Sequence, residues 1–140
     1  MLARTPIDTL ALSASALGIS ERERAALCRV FDMLTCGQLA PQRPCGGDDA
    51  SLCADGFDMM VWQRQSPCGT VACIAGWANI LDRTAFAGVG SAAWIFSLSA
   101  PLTRLFMPGP KARRTPCTPR RAAHALYAFL TTGEAEWGTA

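Results

Sequence analysis

The sequence predicts an all-α, mainly helical fold: a compact single domain over residues 1–140 with about five to six helices. Three observations predict it: capped segments with apolar residues at helical spacing, a central run that is apolar nearly all round, and a scarcity of strand signals. The chain is 50% apolar and 17% charged, which excludes a disordered protein. Because no run of roughly 18 apolar residues occurs, we expect no membrane span and no membrane partner.

The amino-terminal part predicts two helices that form a hairpin. Thr5-Pro6 opens the first helix, residues 7–17 follow with apolar side chains at helical spacing, and Gly18 ends it. Ser20 and Glu23 form a capping box at the start of the second helix, which Gly37 ends. The apolar face of this second helix consists of Leu27, Val30, Phe31 and Leu34.

A long loop and a central helix are predicted next. Residues 37–56 are rich in Pro, Gly and Asp, which predicts a loop of a length that usually carries function or is disordered. The apolar stretch Phe57 to Trp62 is too short to assign, so a helical turn and a short strand both remain open.

Thr70 is expected to cap a buried helix that runs through residues 71–81. Gly76 inside this helix predicts the close approach of another backbone.

The carboxyl-terminal part predicts three more helices. Ser91 caps residues 92–98, and Ser99 caps residues 100–106. A connector rich in Pro and Arg spans residues 108–118. Thr118-Pro119 then opens the last helix, and Gly133 closes it.

Three stretches together resemble a loose group of small bacterial and phage proteins that share F-D-M-x-x-W followed by C-G-T-x-x-C-x-x-G-x-A. In this chain the two motifs are Phe57 to Trp62 and Cys68 to Ala78, and Leu105-Phe106 with the helix after Thr118-Pro119 completes the likeness. The resemblance covers roughly residues 20–135. It implies a setting in mobile elements and accessory genes, and it brings no activity and no functional residue.

Cysteine chemistry has two candidate forms. Cys68 before the predicted cap is placed to have a lowered thiol pKa, and His124, the single histidine, is the candidate base of a thiol enzyme. The opposing interpretation is a capping turn that packs under Trp62 or Trp77.

The candidate zinc ligands are Cys45, Cys53, Cys68 and Cys73, although their spacing lacks the tight knuckle of structural zinc sites. The opposing interpretation is that a free cysteine is a small buried hydrophobe.

Five cations occur close together before and within the last helix: Lys111, Arg113, Arg114, Arg120 and Arg121. Arg120 and Arg121 lie in the first helical turn, where the helix dipole disfavours positive charge. Local helix stability therefore does not account for them, and an acidic partner does. The alternative is a solvated, arginine-rich loop.

Taken together, the sequence predicts a non-enzymatic, cytoplasmic protein that binds another macromolecule. The partner expected is an acidic protein surface or a nucleoprotein complex, with nucleic acid as a further option, although the net charge is only +2. The setting implied by the resemblance makes it a phage or mobile-element accessory protein that inhibits or modifies a host protein complex. The alternative is a zinc- or thiol-dependent protein that uses Cys68. No cofactor is expected, because no nucleotide-binding or metalloprotease motif occurs.

Overall fold

A computed structural model describes residues 6–37, 39–41, 56–57, 59, 63–66, 69–89, 91–109 and 117–137. The prediction of a mainly helical fold is confirmed for these residues. Their helices, numbered in chain order, are α1 Ile7–Leu10, α2 Ala14–Leu17, α3 Glu21–Thr35, α4 Ile74–Leu81, α5 Ala92–Ser97, α6 Ala100–Phe106 and α7 Pro119–Thr132.

The first predicted helix is in fact two single turns, α1 and α2, so the prediction of one continuous helix was wrong. Ser13 interrupts it, because its hydroxyl accepts a hydrogen bond from Ala16 N at 3.2 Å and starts a new helix. The break leaves carbonyl groups without helical partners, and the Arg24 side chain on α3 forms hydrogen bonds with them. Its guanidinium donates to the carbonyl oxygens of Asp8, Leu12 and Ala11 at 2.6, 2.7 and 3.2 Å. Gly18 ends α2 in the left-handed conformation, as predicted.

The capping box at the start of α3 is confirmed. Glu23 N donates to the Ser20 hydroxyl at 3.1 Å, and Ser20 N donates to the Glu23 carboxylate at 2.9 Å. Three of the four predicted face residues are buried and Phe31 is half-buried. α3 packs against α4 and α7 along this face.

A small four-stranded sheet is present that the sequence did not predict. Its strands are β1 Ala40–Pro41, β2 Gly56–Phe57, β3 Gln63–Ser66 and β4 Gly69–Ala72, in the order β1-β2-β4-β3. β2 lies parallel to β1 and β4, and β3 pairs with β4 antiparallel. Strands of two to four residues carry too little alternation to be recognised. The predicted loop therefore has strand residues at 40–41 and 56, and residues 42–55 lie outside the described residues.

The central helix begins later than predicted, and Thr70 is not its cap. Thr70 belongs to β4, and α4 starts at Ile74 with Cys73 as the N-cap. The Cys73 sulfur accepts a hydrogen bond from Gly76 N at 3.4 Å. The error arose because Val71 to Ala78 form one uninterrupted apolar run across the end of β4 and the start of α4, within which periodicity does not separate a strand from a buried helix. Residues 72–79 are all buried, as predicted for a central helix.

The carboxyl-terminal helices agree with the sequence analysis. Hydroxyl groups of Ser91, Ser99 and Thr118 cap α5, α6 and α7 as expected, and Gly133 ends α7 with a φ of 86°. α5 ends one residue earlier than predicted, at Ser97. Three aromatic rings join these helices to the segment after α4. The Phe106 ring stacks on Trp94 with centroids 5.7 Å apart and meets the edge of Phe86 at 5.1 Å.

Replacing Gly76 by leucine should destabilise the fold, because Gly76 is buried in α4 where that helix packs against its neighbours. Overpacking a buried site costs about 1–3 kcal/mol, which corresponds to a melting temperature lower by roughly 3–10 °C. Gly109→Leu is the matched control, since a Cβ at Gly109 would meet no atom within 4 Å. Thermal unfolding followed by circular dichroism measures both variants. Equal melting temperatures for the two variants would show that Gly76 is not at a tight crossing.

Candidate functional site

The prediction of Cys68 as a nucleophile depended on a helix capped by Thr70, and the described helix has Cys73 as its N-cap instead. Cys68 itself lies outside the described residues, but the helix that was expected to follow it begins only at Ile74. Because helix-dipole effects fade within one turn, the dipole of α4 gives no reason for a reactive thiol at position 68. His124, the candidate base, is exposed on α7. The pairing of Cys68 with His124 stays a prediction.

Of the candidate zinc ligands, only Cys73 is described, because Cys45, Cys53 and Cys68 lie outside the described residues. Cys73 is fully buried and its sulfur caps α4. Among the described residues, no three His, Cys, Asp or Glu side chains are grouped to hold a metal ion. Cys28 illustrates the alternative interpretation of the cysteines. It is a buried free thiol, and burial raises the pKa of that thiol, which disfavours the reactive thiolate.

The predicted cation cluster is described only in part. Lys111, Arg113 and Arg114 lie outside the described residues, whereas Arg120 is exposed in the first turn of α7. Arg121 is half-buried, and its guanidinium donates to the Trp137 carbonyl at 2.9 Å. Arg121 therefore has a structural task that explains its position at an unfavourable end of the helix.

The Arg121 contact belongs to a set that fastens the chain after α7. The Trp137 indole N–H donates to the Arg104 carbonyl at 3.1 Å, and the ring is buried. The Arg104 guanidinium pairs with the Glu134 carboxylate at 2.6 Å. Among the described cations of the predicted cluster, Arg120 is thus the better candidate for contact with a partner.

An exposed apolar surface occurs on α5, and we call it the Phe96 surface: Ala92, Ala93 and Phe96. Phe96 is 88% exposed, and both alanines are exposed as well. The orientation of the helix explains this exposure, because Trp94 is buried against Phe106 and a residue two positions later points to the opposite side. No charged residue occurs between Arg83 and Arg104, so the whole segment that carries this surface is uncharged.

The turn after α4 is held by several polar contacts. Asn79, buried within α4, donates to the Arg83 and Ala85 carbonyl oxygens at 3.3 and 3.0 Å. Phe86 has a φ of 53°, a conformation that costs a non-glycine residue on the order of 1 kcal/mol or more. Phe86 N donates to the Glu23 carboxylate at 3.3 Å, which helps to hold that conformation.

Asp82 links the same turn to α3. One carboxylate oxygen accepts from Thr84 N and the Thr84 hydroxyl at 3.0 and 2.8 Å, and the other accepts from Arg22 Nε at 2.8 Å. The Thr84 hydrogen bonds, followed by Arg22, hold the pKa of Asp82 below its ordinary value of 3.8. Arg22, Arg29 and Arg83 all line the groove beside this carboxylate.

Sequence analysis missed both the Phe96 surface and the arginine-lined groove. Trp94, Ile95 and Phe96 are three successive apolar residues, and nothing in them shows which one faces water. A partial signal for the groove did exist, since Arg22 and Arg29 are seven residues apart and share one face of α3. Arg83 joins them only through the packing of α4 against α3.

No protein-family model, curated protein or solved structure matches this chain. None of the helices in the described part of the chain is long and apolar enough to cross a membrane.

Asp82→Asn should lower stability at neutral pH and matter progressively less in acid. A carboxyl group whose pKa is lowered by folding stabilises the native state above its unfolded pKa. That contribution is lost as the pH falls below 3.8 towards the folded value. The difference in melting temperature between wild type and variant should therefore be largest near neutral pH and shrink below 3.8. A difference that stays constant across this range would contradict the role assigned to Asp82.

Proposed function

We propose that this protein is a non-enzymatic binding protein that recognises another protein through the Phe96 surface. In the setting that the sequence resemblance implies, it is a phage or mobile-element accessory protein that inhibits or modifies a host protein complex. The observation that carries the binding function is the 88% exposure of Phe96 on a segment without charge.

The energetics favour contact between the Phe96 surface and an apolar partner. Full burial of a phenylalanine side chain contributes roughly 1.5–3 kcal/mol, and aromatic residues are frequent among the side chains that dominate interfaces. Scattered exposed hydrophobic residues are ordinary on protein surfaces. Phe96 differs from them because exposed alanines lie beside it and no charge on its own segment must be desolvated on contact.

The structure also fixes the helix that carries Phe96. Trp94 anchors α5 through its ring contact with Phe106, and the Ser91 hydroxyl caps the helix at Trp94 N with a distance of 3.2 Å. A segment that is already folded loses less conformational freedom on binding than one that must first be ordered.

Phe96→Asp should weaken partner binding without unfolding the protein. Tagged wild-type protein captures partners from a bacterial lysate, and calorimetry then gives the affinity for the purified partner. Loss of a dominant aromatic contact costs about 2 kcal/mol or more, which is roughly a 30-fold rise in Kd. Leu10→Asp is the matched control, because Leu10 is also exposed, at 47%, but lies on α1.

The control should change Kd by less than about three-fold, and Phe96→Trp should retain binding because it keeps a large aromatic ring. Equal affinities for Phe96→Asp and wild type would contradict the proposal. A captured partner that proves to be nucleic acid or lipid would contradict it too.

A second arm tests the predicted acidic character of the partner. Reversal of Arg113, Arg114 and Arg120 to Glu should weaken binding and reduce its dependence on salt, since complementary charges would be replaced by like charges. Arg121 stays unchanged, because its contact with the Trp137 carbonyl supports the fold. Wild-type affinity of this variant at low salt would show that the cations form a solvated loop.

A further inference from the structure

A groove of about 380 Å³ lies between α3 and the turn that follows α4. Three arginines line it: Arg22, Arg29 and Arg83. Asp82 is the only carboxylate among the lining residues. The lining of the groove therefore carries three positive charges and one negative charge, which leaves two positive charges without a counterpart in the groove.

The single carboxylate is already engaged within the protein. Both Asp82 oxygens accept hydrogen bonds, from Thr84 and from Arg22 Nε. The Arg22 contact uses only Nε, which leaves the two terminal amino groups of Arg22 available to a ligand. The Arg22 side chain is 67% exposed. Arg29 is exposed and makes no hydrogen bond or ion pair with any other residue in the described part of the chain. Donors for an external ligand are thus available on both arginines.

The spacing on α3 brings the two arginines to either side of one binding space. Seven residues correspond to nearly two helical turns, so Arg22 and Arg29 lie about 10 Å apart along one face. Ala25 and Ala26 lie between them and also line the groove. Small side chains there leave room for a ligand that two long guanidinium side chains can approach from opposite ends.

The third cation is held by the folded turn. Arg83 lies just beyond Asp82, the C-cap of α4, and its guanidinium lies 3.5 Å from the Asn79 side-chain oxygen. The same asparagine fixes the turn through the Arg83 and Ala85 carbonyl oxygens. Glu23 adds a contact between α3 and Phe86 N. The two walls of the groove are therefore joined by hydrogen bonds at several points, so the backbone segments that carry the three arginines are fixed relative to one another before any ligand arrives.

We propose that this groove binds a phosphate monoester. Such a group carries a charge of about −1.5 to −2 near neutral pH, which matches the two uncompensated positive charges, whereas a carboxylate supplies only one negative charge. Guanidinium groups bind phosphate oxygens through paired N–H donors. The site goes beyond the proposed function, because it lies apart in sequence from the Phe96 surface and does not depend on it.

Isothermal titration with inorganic phosphate at low ionic strength tests the proposal. Arg29→Gln removes one groove guanidinium and no internal contact of the described chain, so the fold should be retained. We expect it to weaken phosphate binding by about ten-fold, and Arg29→Gln with Arg83→Gln to abolish it. Arg120→Gln is the matched control, since it removes the same charge from an exposed position on α7, and it should bind phosphate as the wild type does.

Three results would overturn the proposal: no phosphate binding by the wild type, equal weakening by Arg29→Gln and Arg120→Gln, or acetate binding as tight as phosphate. Two further ligands distinguish the source of the phosphate group. Tighter binding of a phosphoserine peptide than of ribose 5-phosphate assigns the group to a modified protein, and the reverse order assigns it to a small metabolite. Because Phe96→Asp should leave phosphate binding unchanged, failure of this site and failure of the proposed function remain distinguishable.

Discussion

Burial of α4 against α3 is the constraint on which the rest of the described structure depends. Every residue from Ala72 to Asn79 is buried, so α4 must be covered on all sides. α3 supplies one cover with its apolar face, and α7 packs on α3 in turn. A helix without a polar face is stable only inside such an arrangement, since burial of apolar side chains supplies most of the stabilisation of a fold. α1, α2 and α7 pack against α3, the outer helix of this central pair.

Polar contacts then convert this apolar arrangement into a defined geometry. Glu23 both closes the capping box of α3 and accepts from Phe86 N, so one carboxylate fixes the helix start and the turn after α4. Asn79 and Asp82 hold the same turn from the side of α4. The consequence is that the aromatic cluster and the arginine-lined groove share one rigid support. A change in this turn would therefore affect both.

The two proposed binding features differ in how they arise. The Phe96 surface follows from the orientation of one short helix, because burial of Trp94 forces Phe96 to the opposite side. The groove follows from the assembly of two distant segments, since Arg22 and Asp82 meet at 2.8 Å across sixty positions of sequence. The first feature suits an apolar partner and the second an anion. As proposed, they are two separate means of recognition on one small helical protein.

Local chemistry by itself determined the mainly helical class, the capping box at Ser20 and Glu23, and the ends of the later helices. Each depends on hydrogen bonds within a few residues, so the signal lies in neighbouring residues of the sequence.

Tertiary structure alone decided that Thr70 pairs in a strand while Cys73 caps α4, because the apolar run through both segments fits a buried strand as well as a buried helix. It also decided which arginines line the groove. Arg121 turns inward to the Trp137 carbonyl, whereas Arg83 joins Arg22 and Arg29 only when α4 packs on α3. The physical reason is that residues from distant segments are brought together by packing, which spacing along the chain does not encode.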